Sequence, residues 1–241
     1  MIPIFITSWR RIEFLKQVVQ KIHERTTDYE LHVYDNASDR ETTDWLIAAQ
    51  RSGMVTSVTL DNRNTRCLYP KKVFHSMVSS NSEYYVVTDN DFIPCVGWLE
   101  KLKAIMDRNP KIGCLALQYW PHWPMSPIAK YTDYVYCRAI GNTFKMCRRE
   151  AMEQVIYGIP QSLDAFSDDS KISEALRSKG WATGFAIDAY CYNLELTVPN
   201  YGYKPEELAM DPRKIGYLSQ PETYEPVNWE TLEPPMDKRF Q

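Results

Sequence analysis

The stretch EYYVVTDNDFIPCVGWLEKL, residues 83–102, contains both kinds of element from which most of the chain is built. Tyr84 to Thr88 is a β-rich apolar run, Asp89-Asn90-Asp91 is a polar triplet, and Trp98 to Arg108 carries apolar residues at helical spacing before Asn109-Pro110. Upstream the alternation repeats. Ile2 to Thr7 reads as a strand, and Arg11 to Glu24 as a helix with Ile12, Leu15, Val18, Val19 and Ile22 on one face. Glu30 to Tyr34 and Val55 to Leu60 read as strands, Asp39 to Arg51 and Lys71 to Ser79 as helices. Downstream, Ile112 to Tyr119 is a further strand. Strands alternating with helices predict an α/β fold with a mostly parallel central sheet flanked by helices.

After Trp120 the segment PHWPMSP, three prolines in seven residues, marks a loop or a crossing. Beyond it the reading is a hairpin around Tyr134 to Arg148 with Gly141-Asn142 near the bend, and helices over Arg149–Tyr157 and Ser170–Lys179. A strand follows near Ala186–Leu194. The expected organisation is one domain over 1–198, with halves 1–119 and 120–198, and an irregular tail or lid over 199–241.

The balance of 28 basic against 31 acidic residues in a chain of 241, with 44% apolar residues, excludes disorder for most of it. A net charge of −3 gives no global attraction to nucleic acid or an anionic membrane. The longest apolar runs fall far short of the roughly 20 residues that span a bilayer, so no transmembrane segment is expected. The opening MIPIFITSWRR reverses the order of a secretory signal, so the mature protein is expected to start at Met1. Six cysteines show no CxxC pair and the four histidines no zinc spacing, which predicts reduced thiols and a cytoplasmic setting. Nine glycines, with no G-x-G-x-x-G and no P-loop pattern, exclude the glycine-cradle nucleotide folds.

In open α/β sheets ligands sit outside the carboxyl ends of the strands. The residues there are Thr7-Ser8-Trp9, Asp35-Asn36-Ala37-Ser38, Asp61-Asn62-Arg63-Asn64 and Asp89-Asn90-Asp91. Asp89 and Asp91 project to the same side of an extended segment, and their oxygens suit a hard cation that neutralises a diphosphate. By itself the pair is also ordinary turn chemistry.

Taken in order, IPIFITSWRRIEFLKQVV, VYDNASDRETTDWL, DNRNTR, EYYVVTDNDFIPCVGWLEKL, GNTFKMCRRE and DDSKISEALRSKGW resemble the motif series of GT-A fold glycosyltransferases, the Rossmann-like nucleotide-diphospho-sugar transferases, and of family 2 in particular. The resemblance is close over residues 2–108 and thinner to about residue 193. It implies a metal-assisted transfer, with inversion, of a sugar from a nucleoside diphosphate sugar, expected to be a UDP-sugar, to a hydroxyl acceptor, with Mn2+ or Mg2+ as cofactor.

On this resemblance Asp35 binds the base, with Thr7 and Trp9 beside it. Ser38 or Asp39 then caps the following helix, though Asp35 itself is a possible cap and Trp9 possible core filling. Asn64 matches an Asn-x-Gly loop in which Arg66 replaces the glycine; Arg66 either touches the nucleotide or is a solvated loop residue. Asp91 holds the metal, Asp89 the ribose or a metal-bound water, and Asn90 lies beside the sugar. The pair Asp168-Asp169 supplies the base that deprotonates the acceptor, Asp169 in preference to Asp168, although the same residues are also a helix-start signature. The family's histidine after the last strand is missing from AIDAYCYNLE, where Asn193 or Cys191 lies nearest. Trp120, His122 and Trp123, with Tyr131, are candidate acceptor contacts; Arg148 and Arg149 either support acceptor or phosphate or form a salt bridge to Glu150 or Glu153. The acceptor class is open: a glycan, a lipid-linked glycan, a protein or a modified nucleic acid base. Rival readings are a nucleotidyltransferase of the same fold class, weakened by the absence of a glycine-rich loop after strand one, and a non-catalytic nucleotide- or glycan-binding domain.

Overall fold

The computed structural model describes residues 1–65, 68–120, 127–160 and 168–197, without the side chains of residues 119, 120, 196 and 197. The element order is β1 (Ile2–Ser8), α1 (Ile12–Arg25), β2 (Tyr29–Asn36), α2 (Arg40–Arg51), β3 (Ser57–Asp61), α3 (Leu68–Met77), β4 (Tyr84–Asp89), β5 (Phe92–Pro94), α4 (Trp98–Arg108) and β6 (Ile112–Trp120). Then come β7 (Pro127–Lys130), β8 (Tyr134–Cys137), β9 (Lys145–Arg148), α5 (Arg149–Glu153), α6 (Asp168–Ser178) and β10 (Ala182–Asn193).

The ten strands form one sheet in the order β3-β2-β1-β4-β9-β6-β10-β8-β7, with β5 paired to the end of β10. Following the pairings outward from β1, seven strands run in one direction and β5, β8 and β9 in the other. Alternation along each central strand divides its side chains between two cores. Ile4, Ile6, Leu31, Val33, Val86 and Met146 pack with α1, α2 and α4 on one face. Phe5, Tyr34, Tyr85, Val87 and Cys147 pack with α3, α5 and α6 on the other. The result is a sheet between two helical layers.

The expected hairpin over Tyr134 to Arg148 does not form. β8 lies against β10, close enough that a Cβ on Gly184 would stand 2.3 Å from the carbonyl oxygen of Val135, whereas β9 is inserted between β4 and β6. The connecting residues have other partners: Asn142 donates to Asp89 and Thr143 to the carbonyl of Leu117. The two expected halves are therefore interleaved, because β9 of the second supplies the bridge between β4 and β6 of the first. The helix read over Arg149–Tyr157 ends at Glu153, and a 3-10 turn over Ile156–Gly158 follows. The Pro-rich crossing at 121–126 and the tail from residue 198 lie outside the described residues.

Two features bring the second acidic pair to the carboxyl edge of the sheet. Gly180, at φ 82, closes α6 in the left-handed conformation that a Cβ disfavours, and β10 then runs parallel to β6. The helix before a parallel strand must start at the carboxyl edge of the sheet, so Asp168 and Asp169 begin there.

Candidate active site

Strand register sets the floor of the site. Ser8 stands opposite Asp35, Asn36 opposite Asp61, and Thr7 opposite Asp89, so the polar residues ending β1 to β4 form one row. The turns that leave this row are tied to one another. The Arg10 amide donates to Ser38 Oγ at 2.6 Å, and Asn90 Nδ2 donates to the Arg10 carbonyl at 3.0 Å. Arg10, Arg11 and Ala37 all have positive φ, a concentration of backbone strain in non-glycine residues at the ends of β1 and β2.

Asp35 is fully buried. Its Oδ2 accepts the Ser38 amide at 2.9 Å, while Oδ1 has no well-formed hydrogen bond among the described residues. Burial pushes its carboxyl above the usual aspartate range. Asp39, not Asp35 or Ser38, caps α2 by accepting the Thr42 amide at 2.9 Å, so Asp35 keeps an acceptor available for a ligand. Thr7 Oγ1 is likewise buried without a partner, and Trp9 is half-buried, in neither core, with the Arg10 guanidinium 5.2 Å from its ring. Asn64 is exposed and joined to Asn36 at 3.2 Å. Arg66 lies outside the described residues.

In the Asp89-Asn90-Asp91 triplet, Asn90 and Asp91 are buried. Burial, and then the charge of Asp91, pushes Asp89 up to about 7, while Lys71 and an Asn142 hydrogen bond at 3.3 Å oppose the shift. Asp91 Oδ2 accepts from Arg11 at 3.2 Å, and its buried Oδ1 has no partner. Arg11 also donates to Asn90 at 3.2 Å and to Glu195. The end of β10 lies against this triplet, since the Leu194 amide donates to the Asp91 carbonyl at 2.8 Å. Asn193 turns its Oδ1 to the Glu195 amide, and Cys191 is buried opposite Pro94.

The donor set fits a hard divalent cation shared with a diphosphate. Two carboxylates, that of Asp91 with an unsatisfied buried oxygen, supply part of an oxygen shell, and a cation there would relieve the repulsion that adds to burial in raising Asp89. Among the described residues no three His, Cys, Asp or Glu side chains converge as a metal site, so the remaining ligands would be diphosphate and water.

Asp168 and Asp169, adjacent in sequence, have contrasting environments. Asp168 is fully buried, without a well-formed hydrogen bond to either oxygen among the described residues, and burial raises its carboxyl. Asp169 is part-exposed, and its Oδ1 accepts from both Lys71 and Lys145 at 2.8 Å. Burial opposes its ionisation, but the two ammonium groups prevail and hold it well below the usual range.

Arg148 is not brought to the site. It stands opposite Tyr84, at the end of β4 away from Asp89, and donates to the carbonyls of Ile112 and Met106 and to Glu83. A buried guanidinium with those partners is part of the scaffold and has no face for an acceptor. Arg149 pairs with Glu153 at 2.8 Å, and Tyr131 is half-exposed and stacked on Tyr134. The side chain of Trp120, and His122 and Trp123 entirely, lie outside the described residues. Sequence reasoning missed Arg11, Lys71, Asn142, Lys145 and Glu195. Only Lys145 carried a signal, as a lysine inside the apolar run FKMC.

A mostly parallel sheet between helical layers, in the strand order described above, is the architecture of the GT-A fold of glycosyltransferases. The chain has this fold. Solved structures agree: GalNAc-T7 with UDP, GalNAc and Mn2+ superposes at TM-score 0.62 and 15% identity over 79% of this chain. Staphylococcus aureus TarS residues 1–349 superposes at 0.64 and 14% identity over 87%, and its UDP-GlcNAc complex at 0.63 and 12% over 80%. The chain spans 43%, 63% and 58% of those three chains. No protein-family model and no curated protein sequence matches it.

Proposed function

We propose that this protein transfers a sugar from a nucleoside diphosphate sugar, with UDP as the nucleotide, to a hydroxyl acceptor, with inversion. The observation that carries the reading is the convergence of Asp35 at the end of β2, Asp89 and Asp91 at and just after the end of β4, and Asp169 of α6 on one sheet edge, with oxygens on Asp35 and Asp91 that have no partner among the described residues. Asp35 Oδ1 accepts the imide N–H of uracil, with Thr7 and Trp9 alongside. Asp91 and Asp89 would hold Mn2+ or Mg2+, which when bound would supply charge stabilisation for the leaving diphosphate. Asp169 takes the proton of the acceptor hydroxyl as that oxygen attacks the anomeric carbon from the side opposite the diphosphate. Asp168 is too deeply buried for this exchange.

The acceptor wall is assigned to the Pro-rich crossing with Trp120, His122 and Trp123, and residues 199–241 to a tail or lid. The five described cysteines are free thiols, which supports a cytoplasmic setting. No described helix is long and apolar enough to cross a membrane.

The test is transfer from a panel of nucleotide sugars with Mn2+. Asp91→Ala and Asp169→Asn should each abolish transfer, with Asp169→Asn still binding UDP. A wild-type protein that binds UDP but neither transfers nor hydrolyses any donor would instead be a binding module.

A further inference from the structure

We propose that Lys71 and Lys145 are positioning residues that lock Oδ1 of Asp169, so that Oδ2 is the single atom presented to the acceptor hydroxyl. The proposal rests on the reading of Asp169 as the base. Both lysines are buried, and buried lysine is rare unless its charge is matched. They come from different elements, α3 and β9, yet meet the same oxygen. Among the described residues no donor reaches Oδ2, and the Asp169 side chain is 29% exposed, so the carboxylate is anchored through Oδ1 and partly open. A free carboxylate rotates and offers either oxygen; this one is held in one orientation before the substrate arrives.

The charge arrangement keeps the base ionised before the acceptor binds, at the expense of its basicity. Facing the Asp169 carboxylate are Lys71, Lys145, the Asp89 carboxyl of β4, the Asp168 carboxyl of its own helix, and the buried thiols of Cys114 and Cys147. During transfer the acceptor O–H proton passes to Oδ2, the acceptor oxygen bonds to the anomeric carbon, and the C–O bond to the diphosphate breaks with its electron pair leaving on the phosphate oxygen. Asp169 becomes neutral at that moment. The two ammonium groups then lose their partner charge as negative charge develops on the leaving group, and Lys71 already acts on Asp89 beside the diphosphate position.

The experiment is the pH profile of kcat at saturating donor and metal, where Asp89 is committed to the donor complex. In wild type the acidic limb should lie below the ordinary carboxylate range. In Lys145→Met it should move up by about one pH unit or more, with rate at low pH falling about tenfold, because one ammonium no longer holds the carboxylate ionised. UDP affinity should stay within about threefold, and Lys145→Arg should restore the limb. Lys71→Met is the parallel variant. If neither methionine variant folds, the Asp169 carboxyl is followed directly by carbon NMR in wild type, with ionisation expected to persist well below the ordinary aspartate range. A Lys145→Met enzyme with an unmoved limb, or a wild-type Asp169 that titrates in the ordinary range, overturns the proposal. Transfer surviving in Asp169→Asn overturns the base assignment itself, whatever the lysine variants do.

Discussion

Arg11 donates to the carboxylate of Asp91 at 3.2 Å across 80 positions of sequence, and its side chain is 6% exposed against 8% for Asp91. The same guanidinium reaches Asn90 and Glu195, so a residue just after β1 ties the acidic triplet to the residues just after β10. Truncating one partner of a buried pair leaves the other charge unmatched, at a cost of about 3 kcal/mol or more. Arg11→Met should therefore lower the thermal midpoint by about 6 °C or more. Arg11→Lys should recover only part of this, since an ammonium lacks the planar fork that serves three partners. Differential scanning fluorimetry checks both, and a wild-type melting curve for Arg11→Met would contradict the assignment.

Asp35→Asn separates binding from folding. An asparagine oxygen can still accept the Ser38 amide, but the second acceptor becomes a donor and clashes with an imide N–H, so UDP affinity should fall by about tenfold or more. Stability should move the other way. A carboxyl whose folded pKa is raised makes the folded state bind more protons than the unfolded state, so it lowers stability above the unfolded pKa and not below it. The variant should be at least as stable as wild type at pH 7, with any gain vanishing below about pH 4. Calorimetry and urea titration at the two pH values measure this.

Asp39→Ala makes the complementary change. It removes the cap of α2 and should cost about 1 kcal/mol while leaving UDP affinity intact. Loss of UDP binding in this variant would mean that Asp39, not Asp35, faces the base.

Cation and nucleotide should bind together. With two carboxylates and no third described ligand, Mn2+ alone at about 1 mM should leave the thermal midpoint unchanged, and UDP with Mn2+ should raise it. Asp91→Ala should remove the difference between UDP with and without the ion. A large shift with Mn2+ alone would point to a complete protein site.

The alternation of strands and helices through Ile112 was legible because period-two and period-3.6 apolar patterns are local, and each was strong enough to fix its own element. The same locality made Asp35, Asp89 and Asp91 recognisable as residues ending strands, and the motif order gave Asp169 a role. Locality also explains the failures. The hairpin expected over Tyr134 to Arg148 does contain two strands, Tyr134–Cys137 and Lys145–Arg148, but which strand each one joins depends on where β4, β6 and β10 leave open edges, so their pairing with each other was false.

By itself, then, the sequence determined an α/β sheet with acidic residues at its carboxyl edge and no glycine cradle for phosphate. Only the tertiary structure decided how those acids are charged. Asp89 is pushed up and Asp169 held down because burial and the ammonium groups of Lys71 and Lys145 act through space, between residues that sequence separation keeps apart. Electrostatic interaction depends on distance and dielectric and not on spacing along the chain, so no motif could have shown that adjacent Asp168 and Asp169 differ so completely.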